Sequence, residues 1–130
     1  MPTSLKPRPA AQRFSPTADL VELPLRTRGC CSDVAAPLPA QTADGIAGVM
    51  RALADPTRVQ MVHMLRAAPD PICVCDFTAA FDLGQPTVSH HLAKLRDAGL
   101  VEATRVGLWA FYKLRTDLSP AQKLAIELIP

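Results

Sequence analysis

Residues 72–101 read I-C-V-C-D-F-T-A-A-F-D-L-G-Q-P-T-V-S-H-H-L-A-K-L-R-D-A-G-L-V, and the punctuation of this stretch decides the fold. A short helix is expected from Cys75 or Asp76 to about Phe81, with Phe77, Ala80 and Phe81 on one side. Asp76 in its first turn complements the positive end of the helix dipole. Asp82-Leu83-Gly84 makes a tight turn. Gln85-Pro86 opens a second helix, since proline fits only a first turn, and Gly99 ends it as a left-handed terminator after Ala98. Helix, short turn, helix is the arrangement that lays a second helix in the major groove of DNA.

Downstream, Val101–Val106 and Leu108–Leu114 are two strand-like runs around Gly107, which together read as a hairpin. Ile72–Val74 has the residues for a brief strand of its own. A helix-turn-helix followed at once by a hairpin predicts a mainly α chain with a β-hairpin wing, a winged helix-turn-helix. Ser119-Pro120 caps a last helix carrying Ala121, Leu124, Ala125 and Leu128 as a stripe. Upstream, Gln41 or Thr42 opens a first helix to about Ala54, in which Ile46, Val49, Met50 and Leu53 repeat at helical spacing. Asp55 as N-cap and Pro56 at the first helical position start a second helix to about Ala67. Its Val59, Met61, Val62, Met64 and Leu65 lie almost all round, which suits a central helix; His63 among them reads as a core or half-buried histidine. These are too many apolar stripes for one small core, so the first and last helices are expected to bury theirs against a second copy of the chain.

The chain has 14 basic and 12 acidic side chains, a net charge of +2, which is too small to argue for nucleic acid. The distribution is more informative. Residues 85–115 hold five basic and two acidic side chains, whereas residues 30–84 hold three and six. A local basic footprint is what phosphate attraction requires. Seven of the thirteen prolines fall in residues 1–40, without helical or strand period. Residues 1–41 are therefore expected to form a flexible, proline-rich arm and residues 42–130 the folded DNA-binding and dimerisation domain. No apolar run reaches membrane-span length and the N-terminus has no signal-peptide core. A cytoplasmic protein follows, in a compartment where thiols stay reduced.

From Gln85 to Ala98 the core face is Val88, Leu92 and Leu95, flanked by His91. Gln85, Thr87, Ser89, His90 and Lys94 form the polar face. Gln85 can pair bidentately with adenine, Thr87 and Ser89 can meet base edges or phosphate, and His90 can donate a hydrogen bond. Lys94 and Arg105, near the wing tip, are phosphate candidates. An amphipathic helix with a merely solvated polar face has the same composition; the flanking turn and hairpin argue for the DNA reading.

D-P-T-R-V at 55–59, C-V-C-D at 73–76 and Q-P-T-V-S-H-H-L-A-K-L-R-D-A-G-L-V at 85–101 resemble the ArsR/SmtB family. Its members are small homodimeric winged-helix repressors that release operator DNA when a metal or metalloid binds. The resemblance covers roughly residues 43–115 and puts the family's recognition positions on Gln85, Thr87, Ser89, His90 and Lys94. Gly84 stands where relatives commonly have serine, a small loss because glycine is a tolerable N-cap.

C-V-C-D also resembles the family's thiolate sensing site. Thiolates select soft ions, and a helix N-terminus lowers a thiol's pKa toward the ligand form. Residues two apart on a helix diverge by about 200°. Cys73 and Cys75 therefore share an ion only if the first turn is open, or else one of them ligates alone. Cys30 and Cys31, on the arm, are the natural completion. Three thiolates suit As(III) or Sb(III), and four make a tetrahedral site for Cd(II), Pb(II) or Zn(II). Some arsenic sensors of the family carry an adjacent cysteine pair in the arm, and cadmium and lead sensors combine arm cysteines with the C-V-C pair. As(III) is the favoured inducer, with Cd(II)/Pb(II)/Zn(II) as alternatives. Oxidation linking two of the thiols is another reading of the same residues. The family's second zinc site has no counterpart, because only Glu127 remains on the last helix. No catalytic arrangement is discernible, and the chain is not expected to be an enzyme.

Overall fold

The computed structural model describes residues 35–130. Cys30, Cys31 and the rest of the expected arm up to residue 34 lie outside the described residues. The elements run α1 (Ala40–Leu53), α2 (Pro56–Ala67), β1 (Ile72–Cys73), α3 (Val74–Phe81), α4 (Gln85–Asp97), β2 (Val101–Val106), β3 (Trp109–Leu114) and α5 (Pro120–Glu127). This is the expected winged helix-turn-helix. Two helix starts differ from expectation. α1 starts at Ala40, after Pro39, whose carbonyl accepts from the backbone N–H groups of Thr42 and Ala43. α3 starts at Val74, leaving Cys73 as an extended N-cap residue (φ −70°, ψ 147°).

The local signals act as their chemistry requires. Asp55 accepts the backbone N–H of Arg58 at 3.1 Å and caps α2, with Pro56 in the first turn. Ser119 and Gln122 form a reciprocal capping box at the start of α5. Gly99 has φ +73°, and it ends α4 in a Schellman motif: Leu100 N–H bonds Leu95 O at 3.0 Å and Gly99 N–H bonds Arg96 O at 2.9 Å. A side chain at Gly99 would be strained in this backbone region and would also meet Gln122, whose Nε2 lies 2.6 Å from the position of a Cβ.

Strand order is β1-β3-β2, all antiparallel. β2 and β3 pair from Val101↔Leu114 to Val106↔Trp109, so the wing turns on Gly107 (φ +62°) and Leu108. β1 adds Ile72↔Tyr112 and Cys73↔Phe111. This pairing ties the entrance of α3 to the inner strand of the wing.

Phe77, Met61, Leu92, Leu95, Leu100, Val62, Val88 and Val101 are the largest fully buried side chains. They bring α2, α3, α4 and β2 into one core, with α2 central as its apolar pattern implied. His63 is the exception: it is exposed, with Nδ1 2.5 Å from the carbonyl oxygen of Pro130. Its position faces the C-terminal end of the chain, not the core. The stripes on α1 and α5 divide into two sets. Val49 and Ala52 on α1 and Ala125 and Ile126 on α5 are buried, whereas Ile46 and Met50 on α1 and Leu124 and Leu128 on α5 are exposed. Ile126, absent from the expected stripe, turns inward beside Ala125.

Candidate functional site

α4 buries Val88, Leu92 and Leu95 completely and turns Gln85, Thr87, His90 and Lys94 to solvent; Ser89 is half-buried. Arg105 is exposed on β2, near the wing tip. Two sets of contacts hold the helix in place. α3 packs directly against it, with Phe77 and Phe81 stacked at 6.5 Å between ring centroids. At its other flank, Arg58 reaches from α2: Nε donates to Ala52 O at 2.5 Å and Nη2 to Arg51 O at 3.3 Å, while Nη1 lies 3.4 Å from His91 Nδ1. One guanidinium thus closes the last carbonyls of α1 and braces α4. The D-P-T-R motif marked a helix start and part of the family resemblance; nothing in the sequence showed that its arginine would span three helices.

The thiol site departs from expectation in two ways. Cys73 is a strand residue at the N-cap and Cys75 is in the first turn of α3, so the 200° divergence of two helical positions does not apply. The sulfurs converge: Cys75 Sγ donates to Cys73 Sγ at 2.8 Å. Cys73 is buried and Cys75 exposed. The second departure concerns ionisation. The Cys75 thiol is raised above its ordinary value, first because it donates to Cys73, then by burial and by the negative charges of Cys73 and Asp76; the backbone at Asp76 opposes this only partly. The expected lowering by the helix N-terminus is outweighed, first because the Cys75 proton is held in the hydrogen bond to Cys73.

Two soft donors side by side fit a thiophilic ion. In a tetrahedral thiolate site with metal–sulfur bonds of about 2.3 Å, sulfurs sit about 3.8 Å apart. The pair would have to open by about 1 Å, which rotation about one cysteine χ1 can accommodate. Among the described residues no group of three or more His, Cys, Asp or Glu side chains converges to hold a metal ion. Cys73 and Cys75 thus bring two donors together; Cys30 and Cys31, expected from the sequence to supply the others, lie outside the described residues.

A cavity of about 260 Å³ opens beside Cys75, lined by Val74, Cys75, Thr78, Gln85, Leu108 and Trp109. It brings together the thiol, the first residue of α4 and the tip of the wing. Sequence spacing did not suggest this neighbourhood, since Leu108 and Trp109 are more than 30 positions from Cys75.

The fold and the disposition of α4 define a winged helix-turn-helix regulatory domain. Residues 55–103 match the family described as "Bacterial regulatory protein, arsR family". The chain is 43% identical over 70 residues to the arsenic resistance transcriptional regulator ArsR1 of Pseudomonas putida, covering 54% of each chain. It is 39% identical over 71 residues to an HTH-type transcriptional regulator of Methanocaldococcus jannaschii, covering 55% of this chain and 79% of that one. Among solved structures, the homodimeric winged helix-turn-helix domain Mb0332 of Mycobacterium bovis superposes with a TM-score of 0.59 at 28% identity, covering 68% of this chain and 79% of that one. The chain belongs to the ArsR family. Its match spans about half the length of the Pseudomonas protein. These relatives are transcriptional regulators, not enzymes, and among the described residues no helix is long and apolar enough to cross a membrane.

Proposed function

We propose that this protein is a dimeric, cytoplasmic repressor that occupies operator DNA through α4 and the wing and leaves it when As(III) or Sb(III) binds cysteine thiolates. The observation that carries the reading is the meeting of Cys73 and Cys75 at the start of α3, the helix that packs on α4. The similarity to arsenic resistance regulators favours a metalloid over Cd(II), Pb(II) or Zn(II).

In this reading Gln85, Thr87, Ser89 and His90 meet base edges or nearby phosphates, and Lys94 and Arg105 meet phosphates. The exposed Ile46, Met50, Leu124 and Leu128 form the dimer seam, because large apolar side chains clustered on two neighbouring helices favour a partner over water. A two-fold dimer sets its reading helices about one DNA turn, roughly 34 Å, apart. Ligand shared between Cys73, Cys75 and the arm cysteines Cys30 and Cys31 pulls on the N-cap of α3. Because Cys73 is also paired to β3, the pull reaches α4 and the wing together. A coupling of about 1–3 kcal/mol suffices, and it is reciprocal: operator must weaken ligand binding by the same factor.

The test is a titration of operator-bound, fully reduced protein with arsenite, antimonite, cadmium, lead and zinc, read by anisotropy of labelled DNA. Arsenite and antimonite are expected to release DNA at the lowest concentrations. Cys73→Ser and Cys75→Ser are expected to keep DNA binding and blunt release, as is the Cys30→Ser/Cys31→Ser variant. Release at unchanged arsenite concentration by the arm variant would remove Cys30 and Cys31 from the site, and release by cadmium, lead or zinc alone would overturn the metalloid assignment.

A further inference from the structure

A cleft of about 410 Å³ lies on the flank of α4 that faces α1 and α2, lined by Arg51 and Ala52 of α1, Arg58 of α2, and Lys94, Asp97 and Ala98 of α4. It gathers three basic side chains and a single carboxylate. Arg51, Lys94 and Asp97 are exposed, and none of the three forms an ion pair among the described residues. The C-terminal end of a helix ordinarily presents unpaired carbonyls and partial negative charge. Here the end of α1 is closed by the Arg58 guanidinium, which donates from Nε to Ala52 O and from Nη2 to Arg51 O. Those donors are occupied, the Arg58 side chain is only 15% exposed, and Asp55 at 3.8 Å shares its charge. Arg58 therefore removes what would repel an anion, and Arg51 and Lys94 supply the charge and the donors that face solvent.

The cleft continues the face of α4 that is turned to DNA in the reading above. Thr87, His90 and Lys94 stand three and four positions apart, along one side of the helix, and Lys94 is also a wall of the cleft. We propose that this cleft seats one phosphate of the operator backbone between Arg51 and Lys94, which makes α1 a DNA-contacting element as well as a dimer helix. The inference rests on the DNA-binding reading and adds to it a backbone contact outside α4 and the wing. A guanidinium fork matches two phosphate oxygens at once, and an ammonium beside it adds a point charge. A cleft of this volume falls within the range of small-ligand pockets, about 300–1,000 Å³, so a phosphodiester has room. Because α1 also carries Ile46 and Met50 of the proposed seam, a phosphate held there ties the dimer helix to the reading helix. Asp97 opposes the anion and sets a limit on how tightly it is held.

The test uses reduced, metal-free, full-length protein on labelled operator, read by anisotropy over a salt series. Arg51→Ala is expected to weaken binding about tenfold or more and to lower the salt slope by about 1 for each cleft engaged. Arg51→Lys keeps the charge and is expected to keep the slope. Asp97→Asn removes the one carboxylate of the cleft and is expected to tighten binding about twofold to fivefold. Opposite signs at two exposed positions are not what a folding defect produces. A single methylphosphonate linkage moved along each half-site then locates the contact. One position is expected to weaken the parent about tenfold but Arg51→Ala by less than about twofold. An unchanged slope in Arg51→Ala, no tightening in Asp97→Asn, or methylphosphonate penalties that add to the Arg51→Ala loss at every position would overturn the inference. Inorganic phosphate, compared with chloride at equal ionic strength, tests the other source of the same chemistry. Displacement of DNA that is specific to phosphate and abolished by Arg51→Ala would give the cleft to a free anion and overturn the backbone assignment. A parent that binds no duplex sinks the DNA-binding reading and the inference with it; a parent that binds while Arg51→Ala behaves identically sinks the inference alone.

Discussion

Gly99→Ala places a methyl group where the end of the reading helix meets the start of α5, and its cost can be worked from two separate effects. The backbone at Gly99 has φ +73°, and a residue with a Cβ is destabilised in this region by roughly 1–2 kcal/mol. The new Cβ would also lie 2.6 Å from Gln122 Nε2, so the amide must swing away. That amide donates to Ala98 O at 2.9 Å, and its Oε1 accepts the Ser119 N–H at 2.8 Å as half of the α5 capping box. Losing these bonds adds about 1 kcal/mol, with the partners left to find water. The total is roughly 2–3 kcal/mol, the sum of these two ranges. Because part of it passes through Gln122, the two positions must be coupled. In a Gln122→Ala background, Gly99→Ala is expected to cost only its backbone share, about 1–2 kcal/mol, and the double-mutant cycle to return about 1 kcal/mol of interaction. Urea unfolding followed by Trp109 fluorescence and far-UV circular dichroism, at one fixed protein concentration, measures all four proteins. A Gly99→Ala cost under about 0.5 kcal/mol would refute the strain argument; strict additivity with Gln122→Ala would refute the contact.

On α4, Gln85→Ala is expected to cost about 1–3 kcal/mol of discrimination at one base position, whereas Lys94→Ala weakens all sequences alike and lowers the salt slope by about 1; anisotropy over a salt series separates them, and identical behaviour of the two would contradict the assigned roles. The raised Cys75 thiol, perturbed first by its hydrogen bond to Cys73, is expected to show an alkylation pH profile displaced upward from a free cysteine. Cys73→Ala is expected to bring the profile down, and an unmoved profile would mean the hydrogen bond to Cys73 is not the cause of the shift. Asp55 is held below the usual carboxylate range, first by the Arg58 backbone N–H, with the Arg58 charge adding to the effect. A depressed carboxylate contributes stability above its unfolded value of about 3.9, lost as pH falls through the lower folded value. Asp55→Ala is therefore expected to cost about 1 kcal/mol at neutral pH, with the gap from the parent narrowing under acid denaturation below about pH 4; a gap independent of pH would remove the charged cap as its cause.

Elements whose signals are local are legible in the amino-acid sequence itself. Pro56, Pro86 and Pro120 each stand in a first turn, Gly99 adopts positive φ and Gly107 turns the wing, because these residues restrict or free their own backbone whatever surrounds them. The buried face of α4 is equally plain, since Val88, Leu92 and Leu95 repeat at the helical period. The thiol geometry is not. Treating Cys73 and Cys75 as two helical positions implies opposed sulfurs, and the contact at 2.8 Å exists because β1 pairs with β3 and keeps Cys73 out of the helix. A two-residue strand has too few residues for a period, and its partner lies about 40 positions away.

Charge and exposure divide along the same line. Composition placed positive charge between Gln85 and Arg115, and polar spacing chose the face of α4 turned to solvent. Tertiary structure alone decided that His63 is exposed and that Ile126 turns inward while Leu124 and Leu128 face out. It also decided that Arg58 braces three helices and that Leu108 and Trp109 stand beside Cys75. The physical reason is common to all of these. Backbone preferences and caps act within about one helical turn and are written in adjacent residues. Which apolar face is covered, and which side chain reaches a distant carbonyl or thiol, depends on how whole elements settle against one another, and that is set by the packing of the entire core.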